Sequence, residues 1–187
     1  MICYGFKGGV GTSSRVVGEH TVGVQVQANM GKRSELRIAG RHVGRVYDAQ
    51  VPAIPSDSGS IIIVVATDAP LLPHQLARVA KRAALGIGRT GSGAAHGSGE
   101  IILAFSTANR LARTSARRVQ RMDVLSDEHI DPIFRATIDC VEESIANSIC
   151  MAGDVVGVNG HVVPGLPLDH VRDIVERCTP EELRRRP

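Results

Sequence analysis

The peptide junction Gly59-Ser60 is the position in this chain whose residue types best support covalent chemistry. It follows a proline-containing segment, residues 51–58, and precedes an apolar run at 61–66. Cleavage before Ser60 would leave a hydroxyl and a free α-amine on one residue. A serine hydroxyl needs a nearby base at neutral pH, and the ordinary pKa of an α-amine lies close to neutrality. Ser60 is therefore the leading candidate for a nucleophile that self-cleavage exposes.

A simpler explanation of the same pattern is a buried strand that begins with a small polar residue. Pro52 and Pro55 disfavour helix, and Gly59 permits backbone conformations that are closed to residues with a side chain. The run 61–66 shows no polar alternation, which predicts a strand buried on both faces. These residues alone leave both explanations open.

Ser98 and Glu100 form a second candidate group at the end of a glycine-rich stretch, residues 90–99. They stand two apart where a strand is predicted to begin, so their side chains should share one face. A carboxylate there can orient a hydroxyl or hold an ammonium group. A capped loop with a surface glutamate explains the spacing equally well.

The elements that must position these residues follow from apolar periodicity and turn residues. Strands and helices alternate without an internal repeat or a domain boundary, which predicts a single α/β or α+β domain over residues 1–187. The predicted elements are strands at 21–29, 60–66 and 100–106, a hairpin at 37–45 around Gly40, and helices at 74–86, 130–150 and 168–178.

Composition narrows the classes of partner. Aromatic residues make up 3% of the chain and the net charge is +3, which speaks against nucleic acid. No apolar stretch reaches the length of a membrane span and the N-terminus lacks a secretory signal pattern, so no membrane partner and a cytoplasmic location are predicted.

The sequence also argues against cofactors and disulfides. Four cysteines without a CxxC pair are predicted to be free thiols in a reducing compartment, and no HxxxH or HExxH pair supports a metal site. The motif FKGGVGT at 6–12 lacks the GKS or GKT ending of a phosphate loop. We expect neither metal nor organic cofactor. The cysteines are Cys3, Cys140, Cys150 and Cys178.

Four segments of the chain resemble the D-aminopeptidase family, also described as L-aminopeptidase/D-esterase or β-peptidyl aminopeptidase. They are ICYGFKGGVGTSSR at 2–15, VQVQANMG at 24–31, GSIIIVVATDAPLLPHQL at 59–76 and HGSGE at 96–100. Members are serine aminopeptidases that cleave their own precursor before this serine. The resemblance implies an α+β fold, an αββα sandwich similar to N-terminal nucleophile hydrolases but differently connected.

The resemblance also implies a role for each candidate residue. Ser60 would be the nucleophile and would begin a β chain of residues 60–187, with 1–59 as the end of the α chain. Ser98 and Glu100 would activate it and orient its amine, and Asn29 would donate an amide N–H to the oxyanion. Substrates would be short peptides, amides or esters with a free N-terminus, whose ammonium Glu100 could bind. No cofactor and a homo-oligomer of αβ units are implied.

The chain departs from the family at its start, because the resemblance covers roughly the family's C-terminal half. The sandwich is therefore expected to be incomplete at the N-terminus, with an apolar sheet face and an edge exposed. One alternative is a catalytically inactive fragment or subunit of such an enzyme. Another is an acyltransferase of the related ornithine acetyltransferase type, which would use threonine at the position of Ser60.

Overall fold

A computed structural model describes residues 1–48, 59–112, 114 and 118–176 of the chain. Its centre is a four-stranded sheet of β3 (Val10–Val17), β4 (His20–Asn29), β5 (Ser60–Thr67) and β6 (Ile101–Ser106), in that order. Strand β4 is antiparallel to both β3 and β5, and β6 runs parallel to β5. The remaining elements are β1 (Ile2–Cys3), β2 (Phe6–Lys7), α1 (Val43–Asp48), α2 (Pro73–Arg89), α3 (Asp131–Cys150), β7 (Val155–Val156), β8 (Val162–Val163) and α4 (Leu168–Glu176).

Two helices cover one face of this sheet. Helix α3 lies against β3 and β4, while α2 packs against α3 and β6. The connection from β5 through α2 to β6 returns the chain to the end of the sheet at which β5 begins. Because parallel strands begin at the same end, the loop before β6 is brought beside the start of β5.

The opposite face of the sheet is exposed in the part of the chain that the structure describes. Along β5, Ile61, Ile63 and Val65 are buried beneath the helices, whereas Ile62 is 43% exposed. The predicted burial of this strand on both faces is therefore wrong, because a strand covered on one side alone buries every second residue. Other exposed apolar residues on this face are Val10, Val16, Ile101, Leu103 and Phe105.

Most predicted elements are present, with one clear correction. The predicted helices 74–86 and 130–150 correspond to α2 and α3, and the strands at 21–29 and 100–106 correspond to β4 and β6. The hairpin at 37–45 is wrong: a single bridge joins Ile38 and Arg41, and helix α1 follows. Gly44 lies so close to the backbone of Arg33 that an added Cβ would come within 1.6 Å of its carbonyl oxygen. The first turn of α1 is therefore packed directly against the backbone of Arg33.

The thiols in the described part of the chain are unpaired. Cys3, Cys140 and Cys150 are free, as predicted, and Cys178 lies outside the described residues. Burial raises the pKa of the Cys3 thiol to about 12, which keeps it protonated and unreactive. Within the described ranges, no helix is long and apolar enough to cross a membrane.

The crossing of α2 and α3 gives a test of this packing through two glycines of α2. An added Cβ at Gly86 would lie 2.6 Å from the Cβ of Val141, whereas Gly88 has open space around it. We expect Gly86→Ala to lower the free energy of unfolding by about 1–3 kcal/mol. Gly88→Ala should raise it by up to about 1 kcal/mol through helix propensity. Urea denaturation of both variants checks the packing; equal effects would contradict it.

Candidate active site

Ser60 lies at the end of the sheet where β4 finishes and β5 begins. It is paired in register with Asn29, the last residue of β4. Side chains alternate along each strand, so Ser60 and Asn29 both project on the uncovered face, and both are exposed. The strand pairing thus brings together two residues that are 31 positions apart in the sequence.

Gly59 is required by the close approach of the two strands at this end. An added Cβ there would lie 2.5 Å from the carbonyl oxygen of Asn29 and 2.9 Å from the Cα of Met30. Contacts of that length do not occur for real side chains, so only glycine fits without a backbone shift. The bond that would be cut therefore lies directly against the end of β4.

The loop before β6 supplies the hydrogen bonds around the Gly59-Ser60 bond. The Ser98 hydroxyl donates to the Gly59 carbonyl oxygen at 3.0 Å. The Gly99 N–H donates to Ser60 Oγ at 3.2 Å. Two neighbouring donors in this loop thus contact the Gly59 carbonyl oxygen and the hydroxyl oxygen of Ser60.

Ser98 also forms a short hydrogen bond with Glu100 Oε1. A serine hydroxyl has a single proton and can donate it to one acceptor at a time. Both the Gly59 carbonyl oxygen and the Glu100 carboxylate accept from this hydroxyl, so Ser98 can donate to either of them in turn. This shared hydroxyl links the Glu100 carboxylate to the carbonyl of Gly59.

The amide of Asn29 is oriented by the first strand of the chain. Its Oδ1 accepts the Ile2 N–H at 2.9 Å. Because the amide group is planar, fixing the oxygen also fixes the direction of the two Nδ2 hydrogens. Asn29 is thus held as a hydrogen-bond donor on the face that carries Ser60.

Two cavities flank the Gly59-Ser60 bond. A cavity of about 560 Å³ contains both Ser60 and Asn29, and its other lining residues are Met1, Gln27, Gly59, Ile62 and Gly97. A smaller cavity of about 200 Å³ lies on the Ser98 side and includes Lys32 and Glu35. The larger, open cavity is the one from which a substrate could reach the Ser60 hydroxyl.

The structure brings the predicted site residues together, while their chemical roles stay predictions. Ser60, Ser98, Glu100 and Gly59 are connected through hydrogen bonds, and strand pairing places Asn29 opposite Ser60. The loop at 51–58 lies outside the described residues. In the described ranges, no three His, Cys, Asp or Glu side chains are grouped so that they could hold a metal ion.

Sequence reasoning did not find the backbone donors of Gly99 and Ile2. A backbone N–H leaves no signature in residue type, so neither could be singled out. Gly99 itself gives no clear signal, because the approach of its backbone to Ser60 Oγ does not require a missing side chain. An added Cβ at Gly99 would lie 3.6 Å from that oxygen, an ordinary contact distance.

Comparison with known proteins gives the same picture over most of the chain. The family described as Peptidase family S58 matches residues 1–163. The chain is 42% identical over 195 residues to the beta-peptidyl aminopeptidase BapA of Sphingosinicella microcystinivorans, covering 95% of this chain and 49% of that protein. It therefore spans about half the length of this relative.

Solved structures of similar proteins agree with the fold. A beta-aminopeptidase from Burkholderia sp. superposes with a TM-score of 0.82 at 42% identity, over 93% of this chain and 51% of that one. The L-aminopeptidase D-Ala-esterase/amidase of Ochrobactrum anthropi, described as a variant among the Ntn hydrolase fold, gives 0.85 at 41% identity, over 95% and 50%. The predicted α+β class and its likeness to N-terminal nucleophile hydrolases are confirmed, for a chain matching half of these structures.

Proposed function

The chain belongs to Peptidase family S58, and from that membership we propose that it cleaves its own Gly59-Ser60 bond and then acts as a serine aminopeptidase. The observation that carries the proposal is the pair of hydrogen bonds from Ser98 and Gly99 to the two sides of this bond. They hold a hydroxyl nucleophile and a polarised carbonyl on adjacent residues. In this proposal residues 1–59 are the end of the α chain and residues 60–187 are the β chain.

Self-cleavage begins with attack of Ser60 Oγ on the carbonyl carbon of Gly59. The hydroxyl proton passes to the Ser60 nitrogen, negative charge develops on the carbonyl oxygen, and the Ser98 hydroxyl stabilises that charge. The bond between the Gly59 carbon and the Ser60 nitrogen then breaks, which leaves an ester on Ser60 Oγ. Water hydrolyses the ester to a Gly59 carboxylate and a free Ser60 hydroxyl.

The freed α-amine of Ser60 then serves as the base for its own hydroxyl. The hydroxyl attacks the acyl carbon of a substrate in the cavity of about 560 Å³. Asn29 lines the same cavity and donates an N–H to the developing oxyanion, a contribution of roughly 3–4 kcal/mol. The amine or alcohol of the substrate departs, and water releases the acyl group from Ser60.

The substrate class follows from the site and from the names of the relatives. Glu100 lies two residues from Ser98 and supplies a negative charge that can bind the ammonium of a substrate. The similar proteins are a beta-peptidyl aminopeptidase and an L-aminopeptidase D-Ala-esterase/amidase. We therefore propose short peptides, amides and esters with a free amino group as substrates, and a cytoplasmic homo-oligomer of αβ units as the working form.

A second candidate is an inactive half or subunit of such an enzyme. It is favoured by the exposed apolar sheet face beside Ser60, where Leu103 and Phe105 are 57% and 42% exposed. An uncut chain that self-associates in size-exclusion chromatography would support it. The acyltransferase alternative is weaker, because the chain has Ser60 in place of threonine and the family it belongs to is a peptidase family.

The proposal is tested by a matched panel of chromogenic amides. After incubation, the chain should release p-nitroaniline from alanyl, D-alanyl or β-alanyl p-nitroanilide and leave the N-acetylated forms uncut. Glu100→Gln should lower kcat/KM for the free amines by about 100-fold, because a charged acid-base group is lost. Glu19→Gln, at the far turn of the sheet between β3 and β4, is the control. Equal cleavage of acetylated and free amides, or full activity of Glu100→Gln, would contradict the assignment.

A further inference from the structure

Tyr4 occupies an unusual backbone position at the turn between β1 and β2. Its φ of 52° lies in the left-handed region, and Gly5 follows with φ of 74°. An aromatic residue adopts this conformation only where surrounding contacts hold it. The side chain is completely buried, so the contacts that hold it can be identified.

On one side, Tyr4 contacts the end of strand β4. Its N–H donates to the Met30 carbonyl at 2.7 Å. Its ring lies over Gly31, where an added Cβ would come within 2.3 Å of a ring carbon. The same short hairpin carries the Ile2 N–H that orients Asn29. The hairpin therefore fixes the strand end on which Asn29 stands.

On the other side, Tyr4 contacts the end of helix α2. Its hydroxyl forms a buried hydrogen bond of 2.8 Å with Thr90 Oγ1. The Thr90 hydroxyl donates its single proton to the Ile87 carbonyl at 2.8 Å, so Tyr4 is the donor in the bond between them. Thr90 is the first residue after α2, and the chain runs from it to Ser98 and Glu100.

The surroundings of Thr90 make this attachment point rigid. The Thr90 carbonyl accepts the Arg37 N–H at 2.8 Å. At Gly91 an added Cβ would come within 1.8 Å of the Glu35 carbonyl oxygen. Burial raises the pKa of the Tyr4 hydroxyl, countered in part by its bonds to Thr90 and the Ser92 backbone, and the hydroxyl therefore remains a proton donor at neutral pH.

We propose that Tyr4 is a positioning residue whose hydrogen bond to Thr90 holds the loop at 90–100 against the end of β4. With this bond, the donors of Ser98 and Gly99 meet the Gly59-Ser60 bond while Asn29 faces the same bond from β4. Without it, the loop loses its buried connection, through Tyr4, to the end of β4 that carries Asn29. The role of Tyr4 in catalysis rests on the proposed function. The hydrogen bond between Tyr4 and Thr90 rests on the geometry alone.

The link is tested by hydrogen exchange, which needs no catalytic activity. In a Ser60→Ala background that cannot cut itself, Tyr4→Phe and Thr90→Val each remove one hydroxyl of the bond. Peptides covering 88–98 contain the Thr90, Gly91 and Ser98 amides, which donate to Ile87, Gly88 and Ala95. We expect these peptides to exchange roughly tenfold faster, because breaking a buried hydrogen bond leaves its partner unsatisfied. Peptides from β4 should be unchanged.

Two further variants separate positioning from a general loss of stability. Thr90→Ser keeps the hydroxyl and should restore wild-type exchange at 88–98. Tyr47→Phe removes the other tyrosine hydroxyl of the chain, on a ring that contacts Phe6 and His170, and should leave the loop unchanged. Unaltered loop exchange in Tyr4→Phe, or an equal acceleration across the whole sheet, would overturn the proposal.

A second measurement connects the link to self-cleavage. With Ser60 present, Tyr4→Phe should lengthen the half-time of cutting at Gly59-Ser60 by roughly tenfold, and Thr90→Ser should not. If the wild-type chain fails to cut at all, the proposed function fails and the exchange experiment still decides whether Tyr4 holds the loop. Cutting of Tyr4→Phe at the wild-type rate, with its loop opened, would overturn the positioning role.

Discussion

Ser60→Ala is expected to remain a single chain of 187 residues under conditions in which the wild-type chain separates into pieces of 59 and 128 residues. Alanine lacks the oxygen that attacks the Gly59 carbonyl, and no neighbouring hydroxyl can take its place without moving the strand. Ser98 Oγ is directed at the carbonyl oxygen, not at the carbonyl carbon as a nucleophile. The same variant should show no turnover of aminoacyl amides, because nucleophile and base are one residue.

Intact mass spectrometry over a time course measures this outcome directly. The fragment boundary must fall between Gly59 and Ser60, and the larger fragment must begin Ser-Ile-Ile-Ile. Ser14→Ala, which removes an exposed serine on β3, is the control and should be cut like the wild type. Cutting of Ser60→Ala at this junction would contradict the mechanism, and a wild-type chain that stays whole would favour the inactive half or subunit.

The parts of the fold that could be predicted are those with long, regular apolar patterns. The stripe of Ile138, Val141, Ile145 and Ile149 identified α3 within one residue of its start. Short elements could not be found in this way, because two-residue strands such as β1 and β2 depend on tertiary contacts. The hairpin error at 37–45 has the same origin, since the approach of Gly44 to Arg33 lies outside any local pattern.

For the apolar run of β5, the type of element was predicted correctly and its burial was not. Ile61 to Ala66 was correctly identified as a strand, but its continuous apolar pattern predicted that both of its faces are buried. In the described residues one face is open, so Ile62 is exposed. The pattern thus shows that both faces of the strand are apolar, but it does not show whether each face is covered or by what.

For the site, residue types were predictable and hydrogen-bond partners were not. Ser60, Ser98 and Glu100 could be singled out by local spacing and by resemblance. That Ser98 contacts the Gly59 carbonyl, while the Gly99 N–H contacts Ser60 Oγ, depends on the parallel pairing of β5 and β6. The register that pairs Ile62 with Ile101 decides which donor meets which acceptor, and no local pattern contains that register.

Ser98→Ala is expected to slow self-cleavage by about 10²–10³-fold without abolishing it, which is the usual effect of removing one donor to a developing oxyanion. The Ser98 hydroxyl donates to the Gly59 carbonyl oxygen, where negative charge accumulates as Ser60 attacks. Ser98→Thr keeps a hydroxyl and should retain most of the rate. The half-time of fragment formation, followed by intact mass spectrometry, measures both variants.

The comparison of the two serines separates nucleophile from stabiliser. A Ser98→Ala chain still has the Ser60 hydroxyl and the Gly99 donor, so slow cutting at the same junction is expected, whereas Ser60→Ala has no route to the ester. Ser98→Ala cutting at the wild-type rate would show that the carbonyl needs no help from this loop. If Ser98→Ala never cuts while its fold is intact by circular dichroism, Ser98 must do more than stabilise charge. Its hydrogen bond to Glu100 would then be required for the attack itself.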